Sequence, residues 1–412
     1  MKAPRPVALD AAPFEVALSL RRLPGLVFFD SALEGGAVSI VAARPSEVVA
    51  GSTARDWEAL REKIALRQQA GAGGMDTGFP CGMAAGSVDY DGAFCFGFYD
   101  EALVYRHADQ TWMAVGELDR HMAPPAPACG PIEKPAFVAE MGRAEYCAMV
   151  ARAKEYIAAG DIYQVNLSRK FSAPWSGDAL RFYGALRHYS PAPYAAYLDL
   201  GGRQVLSSSP ELFLQMSGRA IRTRPIKGTR PRHADAAADA RSEYDLLTSP
   251  KEIAELVMIT DLERNDLGRV CEYGSVEAAE LLKLERYEQV FHLVSTVRGR
   301  LRAGVGHVDA LQSCFPGGSI TGAPKKRARE IIAELEPVPR GLYTGAIGWF
   351  GFNGESQFNI AIRTVVVENG AAHFHTGAGI VADSDPGKEF EETQHKAAGI
   401  LLAAERMGAK GD

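Results

Sequence analysis

Apolar residues recur at two different spacings along this chain, and its second two thirds alternate between them. Helical spacing, with apolar residues three or four apart, predicts helices over 56–69, 143–159, 180–188, 250–261, 307–313, 325–334 and 386–407. Short apolar or alternating runs predict strands over 26–29, 37–41, 86–105, 162–168, 194–200, 204–208, 211–216, 346–352, 355–368 and 373–381. This mixture of helices and many strands predicts an α+β fold with large sheets.

A proline-rich segment interrupts the pattern. Residues 121–137 read HMAPPAPACGPIEKPAF, with five prolines in 17 residues. Because proline cannot donate to a strand ladder and stiffens the backbone, we interpret this segment as a linker. It divides the chain into an N-terminal α/β part, 1–120, and a longer C-terminal part, 138–412.

Composition and charge exclude several classes of protein. Lys and Arg total 45 against 51 Asp and Glu, a net charge of −6, and no basic block indicates a nucleic-acid partner. No run of 18 apolar residues predicts a membrane span, and Asp10 and Glu15 interrupt any signal-peptide core. The six cysteines are scattered, which is typical of reduced thiols and predicts a cytoplasmic location.

Two glutamate pairs lie on predicted helices. Glu252 and Glu255 are three residues apart, as are Glu389 and Glu392, so each pair shares one helix face. Carboxylates converging from two helices suit a hard divalent cation such as Mg²⁺. The alternative is two solvated helix faces. Glu392 and His395 also match half of a di-iron motif, but that site needs two such elements on a helical bundle.

A basic segment, RPIKGTRPR over 224–232, surrounds Lys227. A lysine next to other cations can lose its proton and act as a nucleophile or base, and Arg224, Arg230 and Arg232 are the expected neighbours. The alternative is a basic surface loop.

Glu211 follows a proline in an apolar context, where burial could keep its carboxyl protonated as a general acid. An edge-strand glutamate is the alternative. Two glycine-rich segments, 316–325 and 376–379, can present backbone N–H groups to an anion or can be structural turns.

Three further side chains are candidates for ligand contacts. Tyr343 and Arg363 could hold a carboxylate, since a guanidinium binds one through two parallel hydrogen bonds. His292 could contact a ligand or could be an ordinary core histidine.

In this order, these segments resemble the chorismate-utilising enzymes, a family that includes the synthase components of anthranilate and aminodeoxychorismate and the isochorismate and salicylate synthases. The resemblance implies that 138–412 is the catalytic part of a fold with large antiparallel β-sheets packed against helices. The matching stretches are 160–169, 209–211, 224–232, 254–266, 290–295, 316–325, 376–379 and 389–396.

The resemblance also implies roles for the candidate residues. Mg²⁺ is expected on Glu255 and Glu392 directly, and on Glu252 and Glu389 through waters, where it would bind the ring carboxylate of chorismate. The enolpyruvyl carboxylate is expected to contact Tyr343, Arg363, Gly377 and Gly379. The ring-carboxylate side is expected to be lined by Thr229, Thr321, Gly322 and His292.

Two positions distinguish branches of the family. Gln164 stands where the isochorismate and salicylate synthases carry a water-activating lysine, and glutamine is not a base. Lys227 stands in P-I-x-G-T, where the anthranilate branch has alanine and the aminodeoxychorismate branch has lysine. The resemblance therefore implies amination of chorismate at C4, with Glu211 as acid and Lys227 forming a covalent intermediate at C2. The alternatives are an anthranilate synthase component and a non-catalytic chorismate-binding subunit.

A partner is expected as well. No segment resembles a glutaminase, so the resemblance implies that ammonia comes from a separate glutamine amidotransferase subunit, in a heterodimer.

Overall fold

The computed structural model describes residues 3–32, 37–70, 77–124, 132–287 and 290–408. Residues 125–131 of the predicted linker lie outside these ranges. The helices are Pro13–Leu20 (α1), Ala54–Ala70 (α2), Arg143–Ala158 (α3), Ala179–Tyr189 (α4), Ala236–Leu247 (α5), Pro250–Gly268 (α6), His307–Cys314 (α7), Lys325–Leu335 (α8) and Pro386–Arg406 (α9), with short 3₁₀ turns at Leu118–His121 and Gly318–Ile320. No helix of the described ranges is long and apolar enough to cross a membrane.

The strands are Arg5–Val7 (β1), Val27–Asp30 (β2), Val38–Ala42 (β3), Glu47–Gly51 (β4), Met83–Val88 (β5), Phe94–Tyr99 (β6), Ala102–Arg106 (β7), Thr111–Val115 (β8), Val138–Ala139 (β9), Gln164–Pro174 (β10), Tyr194–Leu200 (β11), Arg203–Ser209 (β12), Leu212–Ser217 (β13), Ala220–Arg224 (β14), Ile226–Pro231 (β15), Glu277–Arg286 (β16), Val290–Arg300 (β17), Gly322–Ala323 (β18), Ala346–Gly351 (β19), Glu355–Ile360 (β20), Thr364–Glu368 (β21) and Ala371–Ile380 (β22).

These strands form two large antiparallel sheets, which confirms the predicted fold class. In the described part of the chain, the first sheet runs β1-β8-β7-β3-β2-β11-β12-β21-β22-β10-β18, with β9 beside β10. The second runs β15-β17-β14-β13-β20-β19-β5-β6-β4, with β16 beside β17. Each sheet therefore joins a block of strands from before the predicted linker to a block from after it, at the β2–β11 pair in the first sheet and the β5–β19 pair in the second.

The cores explain how the layers stack. Apolar side chains of the two sheets meet face to face around residues such as Ile40 and Trp349. The outer face of the first sheet packs against α1, α4 and α9, while its β10–β22 end also packs against α3 and α8. The outer face of the second sheet packs against α2 and α7. In this arrangement α9 packs beside β22 of the first sheet, and α6 packs beside β15 and β17 of the second.

The segment 355–368 differs from its prediction as one strand. It divides into β20, in the second sheet, and β21, in the first. Between them Arg363 adopts a positive φ of 49°. The continuous apolar pattern conceals this crossing, because both strands are buried on both faces.

The two helices that carry the glutamate pairs begin in the same way. In α6 the Ser249 side chain caps the helix and accepts a hydrogen bond from the Glu252 N–H, and Pro250 is the first helical residue. In α9 Asp385 and Pro386 take the same positions. Both glutamate pairs therefore lie in the first two turns, where the helix dipole favours negative charge.

Candidate active site

A cavity of about 800 Å³ opens between β15, β22, α6 and α9. Eleven of the fourteen predicted site residues line it: Glu211, Lys227, Thr229, Glu252, Glu255, His292, Tyr343, Arg363, Gly377, Gly379 and Glu392. The remaining three, Thr321, Gly322 and Glu389, lie behind its walls. Residues that are far apart in the sequence are thus brought together at one place.

Lys227 lies on β15 with its amine in the cavity. Its Nζ donates to the carbonyl oxygen of Ser319 at 3.3 Å. The charged groups that it influences are carboxylates, those of Glu211, Glu255 and Glu392. The charged groups near this amine are therefore negative.

The expectation that neighbouring arginines act on Lys227 is wrong. Arg224 pairs with Glu285, Arg230 with Glu252 and Arg232 with Asp239. Each guanidinium is therefore neutralised by a partner from another element, a pairing that sequence proximity does not reveal.

Glu211 is buried, with 6% of its surface exposed, and it closes the same end of the cavity. Burial raises the pKa of its carboxyl, although hydrogen bonding from the Ser319 side chain and the charge of Lys227 act in the opposite direction. A carboxyl whose pKa is raised by burial retains its proton to higher pH, as a general acid requires.

Buried ionic groups hold the loop that carries Ser319. Glu263 accepts a hydrogen bond from the Gly318 N–H at 3.0 Å, and Arg340 donates to the Ile320 carbonyl at 3.2 Å. Burial and the neighbouring Asp266 raise the pKa of Glu263 to about 7. These contacts fix the carbonyl and hydroxyl of Ser319, which contact Lys227 and Glu211 respectively.

The glutamate pairs of α6 and α9 face each other across Lys251. The Lys251 Nζ lies 3.9 Å from Glu255 Oε1 and 3.5 Å from Glu389 Oε1, so one ammonium group connects the two helices. Glu252 pairs with Arg230 at 3.3 Å, and Glu392 pairs with Lys396 at 2.7 Å. All four carboxylates thus have cationic partners.

The pKa values of two of these carboxylates move in opposite directions. Burial raises the pKa of Glu255, and the carboxylates of Glu252 and Glu392 add to that effect. Burial acts in the same direction on Glu392, but the charges of Lys396, Lys251 and Lys227 outweigh it and lower its pKa. Glu392 is the more strongly ionised of the two.

The chemistry of this donor set fits a divalent cation. Carboxylate oxygens are the ligands that Mg²⁺ prefers, and Lys251 already bridges one carboxylate from each helix as a cation. Glu389 Oε2 is buried and has no hydrogen-bond partner among the residues that the structure describes. Within the described ranges, however, no three His, Cys, Asp or Glu side chains are grouped closely enough to hold a metal ion, so ligation requires rotation of these side chains.

Arg363 and Tyr343 bring hydrogen-bond donors to the opposite wall. The Arg363 guanidinium lines the cavity, and burial, with no compensating acid in the described part of the chain, lowers its pKa. Tyr343 stacks on His375 with ring centroids 5.3 Å apart. A Cβ atom on Gly377 would lie 2.8 Å from the Tyr343 hydroxyl oxygen, so glycine leaves room for that group. An unpaired guanidinium in a cavity is suited to a carboxylate ligand.

Thr229 and His292 are hydrogen-bonded to each other. Thr229 Oγ1 and His292 Nδ1 are 2.9 Å apart, across the β15–β17 pair. Burial lowers the pKa of His292 to about 4, and the charge of Arg363 contributes to the shift. His292 is therefore neutral at pH 7.

Thr321 and Gly322 differ from the expectation that they line the cavity. Thr321 is fully buried and its hydroxyl donates to the Gly317 carbonyl at 2.9 Å. Gly322 pairs with Val165 of β10, and a Cβ atom there would lie 2.2 Å from the Gln164 carbonyl oxygen. Both residues fasten the loop to β10, because the backbones approach too closely for a side chain.

Comparison with known proteins decides the family. The profile described as chorismate binding enzyme matches residues 36–402. The chain belongs to this family. Anthranilate synthase component 1 of Streptomyces coelicolor is 52% identical over 274 residues, covering 66% of this chain and 54% of that protein. Aminodeoxychorismate synthase component 1 of Bacillus subtilis is 47% identical over 269 residues, covering 65% and 57%. The chain thus spans little more than half the length of these relatives.

Two solved structures share the fold. Anthranilate synthase component I of Streptococcus pneumoniae TIGR4 superposes with a TM-score of 0.77 at 29% identity, covering 89% of this chain and 92% of that one. The menaquinone-specific isochorismate synthase MenF of Escherichia coli gives a TM-score of 0.80 at 18% identity, covering 98% and 94%. At that identity the second match shows the fold alone.

Several cavity residues of this family member were missed by sequence reasoning. Asn166, Lys251, Ser319, His375 and Lys396 all line the cavity. Asn166, Ser319, His375 and Lys396 lie within or beside stretches that match the family, so their place in the sequence could have indicated a role. Their side chains could not be assigned to the cavity without the register of β10 and β22 or the orientation of the helices.

Proposed function

We propose that this protein aminates chorismate to 4-amino-4-deoxychorismate, with Lys227 as nucleophile and Glu211 as acid. The observation that carries the proposal is that both groups line one cavity and both contact Ser319: Lys227 through the backbone carbonyl and Glu211 through the side chain. The charge of Lys227 also acts on the Glu211 carboxyl. Transfer of a proton from the Lys227 ammonium to the Glu211 carboxylate would produce the neutral amine and the protonated acid together.

In the first step the Lys227 amine adds to ring carbon C2, both ring double bonds shift, and the C4–O bond breaks. The Glu211 proton goes to the departing hydroxyl, which leaves as water. In the second step ammonia adds at C4, both double bonds shift back, and the C2–N bond to Lys227 breaks. The new ammonium group returns a proton to Glu211, so chorismate and ammonia give the amine and water.

The rest of the cavity is proposed to bind the two carboxylates of chorismate. Arg363 and Tyr343 would take the enolpyruvyl carboxylate. Mg²⁺, held by Glu255 and Glu392 and through waters by Glu252 and Glu389, would neutralise the ring carboxylate. Neutral His292 and Thr229 would add uncharged hydrogen-bonding groups on the ring side.

Ammonia is proposed to come from a glutamine amidotransferase subunit in a heterodimer. Both relatives described above are named as component 1 of a synthase, which supports a second component.

A product assay tests the proposal. The purified chain is incubated with chorismate, Mg²⁺ and ammonium, and aminodeoxychorismate lyase is then added. We expect 4-aminobenzoate to accumulate. Anthranilate in its place would favour the second candidate, an anthranilate synthase component, which the 52% identical relative supports. Absence of any chorismate turnover would indicate a binding subunit without catalysis.

The raised pKa of Glu211 gives the reaction a pH dependence. Since the acid acts when protonated, the rate is expected to fall as pH rises through the pKa of Glu211. Glu211→Gln has nearly the same shape without a transferable proton, and we expect it to lower kcat about 100-fold or more. Profiles of kcat against pH at constant free ammonia measure both effects. An alkaline limb that persists unchanged in the glutamine variant would contradict the assignment.

A further inference from the structure

One face of β10 carries a row of polar side chains, of which Asn166 lines the cavity. Gln164, Asn166 and Ser168 alternate along the strand and therefore share a face. Across the pair with β22, Asn166 lies opposite Gly379 and Ser168 opposite Gly377. Because glycine stands opposite Asn166, the paired position of β22 has no side chain to cover it.

Two members of this row already have partners. Gln164 Nε2 donates to Glu255 Oε2 at 3.4 Å. Ser168 Oγ and His375 Nδ1 are 3.5 Å apart. The Asn166 side chain, in contrast, has a buried Oδ1 with no hydrogen-bond partner in the described part of the chain, although the residue is only 8% exposed and lines the cavity. Buried amide groups are nearly always hydrogen-bonded, so this carboxamide is available to a ligand.

The position of Asn166 is fixed by its backbone. Its N–H donates to the Thr321 carbonyl at 2.8 Å, and its carbonyl accepts from Arg340 Nη2 at 2.7 Å. The carboxamide also adjoins the Tyr343 hydroxyl. A Cβ atom on Gly377 would lie 2.9 Å from Asn166 Oδ1 and 2.8 Å from the Tyr343 oxygen, so both groups border the space that this glycine leaves open.

We propose that the Asn166 carboxamide is a further substrate-binding group, which donates an N–H hydrogen bond to the carboxylate held by Tyr343 and Arg363. The inference rests on the proposed function. A half-turn about the last side-chain bond exchanges the carboxamide oxygen and nitrogen, so the N–H end can face the ligand. Tyr343 and Arg363 are donors, and a third donor beside them favours an acceptor ligand, a carboxylate, over a hydroxyl.

The test compares the binding of two probes by calorimetry, without ammonium. Chorismate carries both carboxylates, and 4-hydroxybenzoate carries only the one on the ring. Asn166→Ala is expected to weaken chorismate binding about tenfold, the effect of one hydrogen bond to a charged group. Asn166→Asp is expected to weaken it about 100-fold, since its charge repels a carboxylate. Binding of 4-hydroxybenzoate is expected to change by less than about twofold in both variants.

Ser172→Ala is the matched control, because Ser172 lies on the same face of β10 but does not line the cavity. Thermal melting of each variant verifies folding. Unchanged chorismate binding in both Asn166 variants, or an equal loss of affinity for chorismate and 4-hydroxybenzoate, would overturn the inference about Asn166. Neither result would bear on the proposed reaction. Wild-type protein that binds chorismate but forms no amine would refute the proposed reaction and leave the Asn166 contact standing. Wild-type protein that fails to bind chorismate would refute both.

Discussion

Replacing Lys227 with alanine is expected to reduce the formation of 4-amino-4-deoxychorismate about 1000-fold, equivalent to about 4 kcal/mol of transition-state stabilisation. Alanine removes the amine that lies 3.3 Å from the Ser319 carbonyl and forms the covalent intermediate of the proposed reaction. Chorismate binding should persist within a few fold, because Arg363 and Tyr343 are unchanged. Coupled formation of 4-aminobenzoate measures the first quantity, and calorimetric titration with chorismate measures the second.

Two further variants separate nucleophilicity from charge. Lys227→Arg keeps the positive charge but cannot lose its proton, so we expect it to be as inactive as the alanine variant. Lys326→Ala changes an exposed lysine of α8 outside the cavity and should retain full activity. A wild-type rate in Lys227→Arg would show that position 227 supplies only charge. A wild-type rate in Lys227→Ala would show that Lys227 takes no part in the reaction.

Replacing Glu255 with glutamine is expected to abolish most Mg²⁺-dependent turnover and to weaken binding of the divalent cation about 100-fold. Glu255 lines the cavity, and Lys251 links it to the α9 pair, so it is the α6 carboxylate best placed to share a cation with Glu392. Glutamine retains the shape and an oxygen but removes the charge that a hard cation requires. Titration with Mn²⁺, followed by electron paramagnetic resonance without substrate, measures metal binding independently of catalysis.

Asp261→Asn provides the control for this variant. Asp261 lies on the same helix with 78% of its side chain exposed, where it pairs with Arg264. Its replacement removes one negative charge from α6 without touching the cavity, and Mn²⁺ affinity should stay within about twofold because exposed pairs contribute little. Equal Mn²⁺ affinities of the wild type and Glu255→Gln would reject the metal assignment while leaving the roles of Lys227 and Glu211 open to their own tests.

Local pattern was sufficient for the elements that carry the acidic pairs. A cap residue followed by proline begins both α6 and α9, and the pairs follow within two turns. These are short-range signals, because capping and the exclusion of proline from helix interiors depend on adjacent residues. The helix predicted over 250–261 nevertheless extends to Gly268, since its last turns contain the buried residues Glu263, Asp266 and Leu267, whose burial depends on distant segments rather than on a local signal.

Long-range pairing accounts for what local pattern missed. The apolar run 355–368 conceals a crossing from one sheet to the other at Arg363, and β16 and β17 pair over ten or more residues without a predicted strand. Arg224, Arg230 and Arg232 were expected to act on Lys227 because they are adjacent in sequence, but each binds a carboxylate from another element. An ion pair depends on distance in space, which sequence adjacency does not reveal.

The sequence by itself determined the α+β class, the helices of the acidic pairs, and eleven residues that line one cavity. Local pattern was enough for the class and the helices, because these depend on near neighbours, whereas the eleven residues followed from the resemblance of the motifs to a known family. Only the tertiary structure decided that Thr321 and Gly322 lie behind the wall and that Arg224, Arg230 and Arg232 each pair with a carboxylate. It also decided that the Asn166 Oδ1 has no hydrogen-bond partner among the described residues. These outcomes depend on strand register and helix orientation, which are set when distant segments bury their apolar faces against each other.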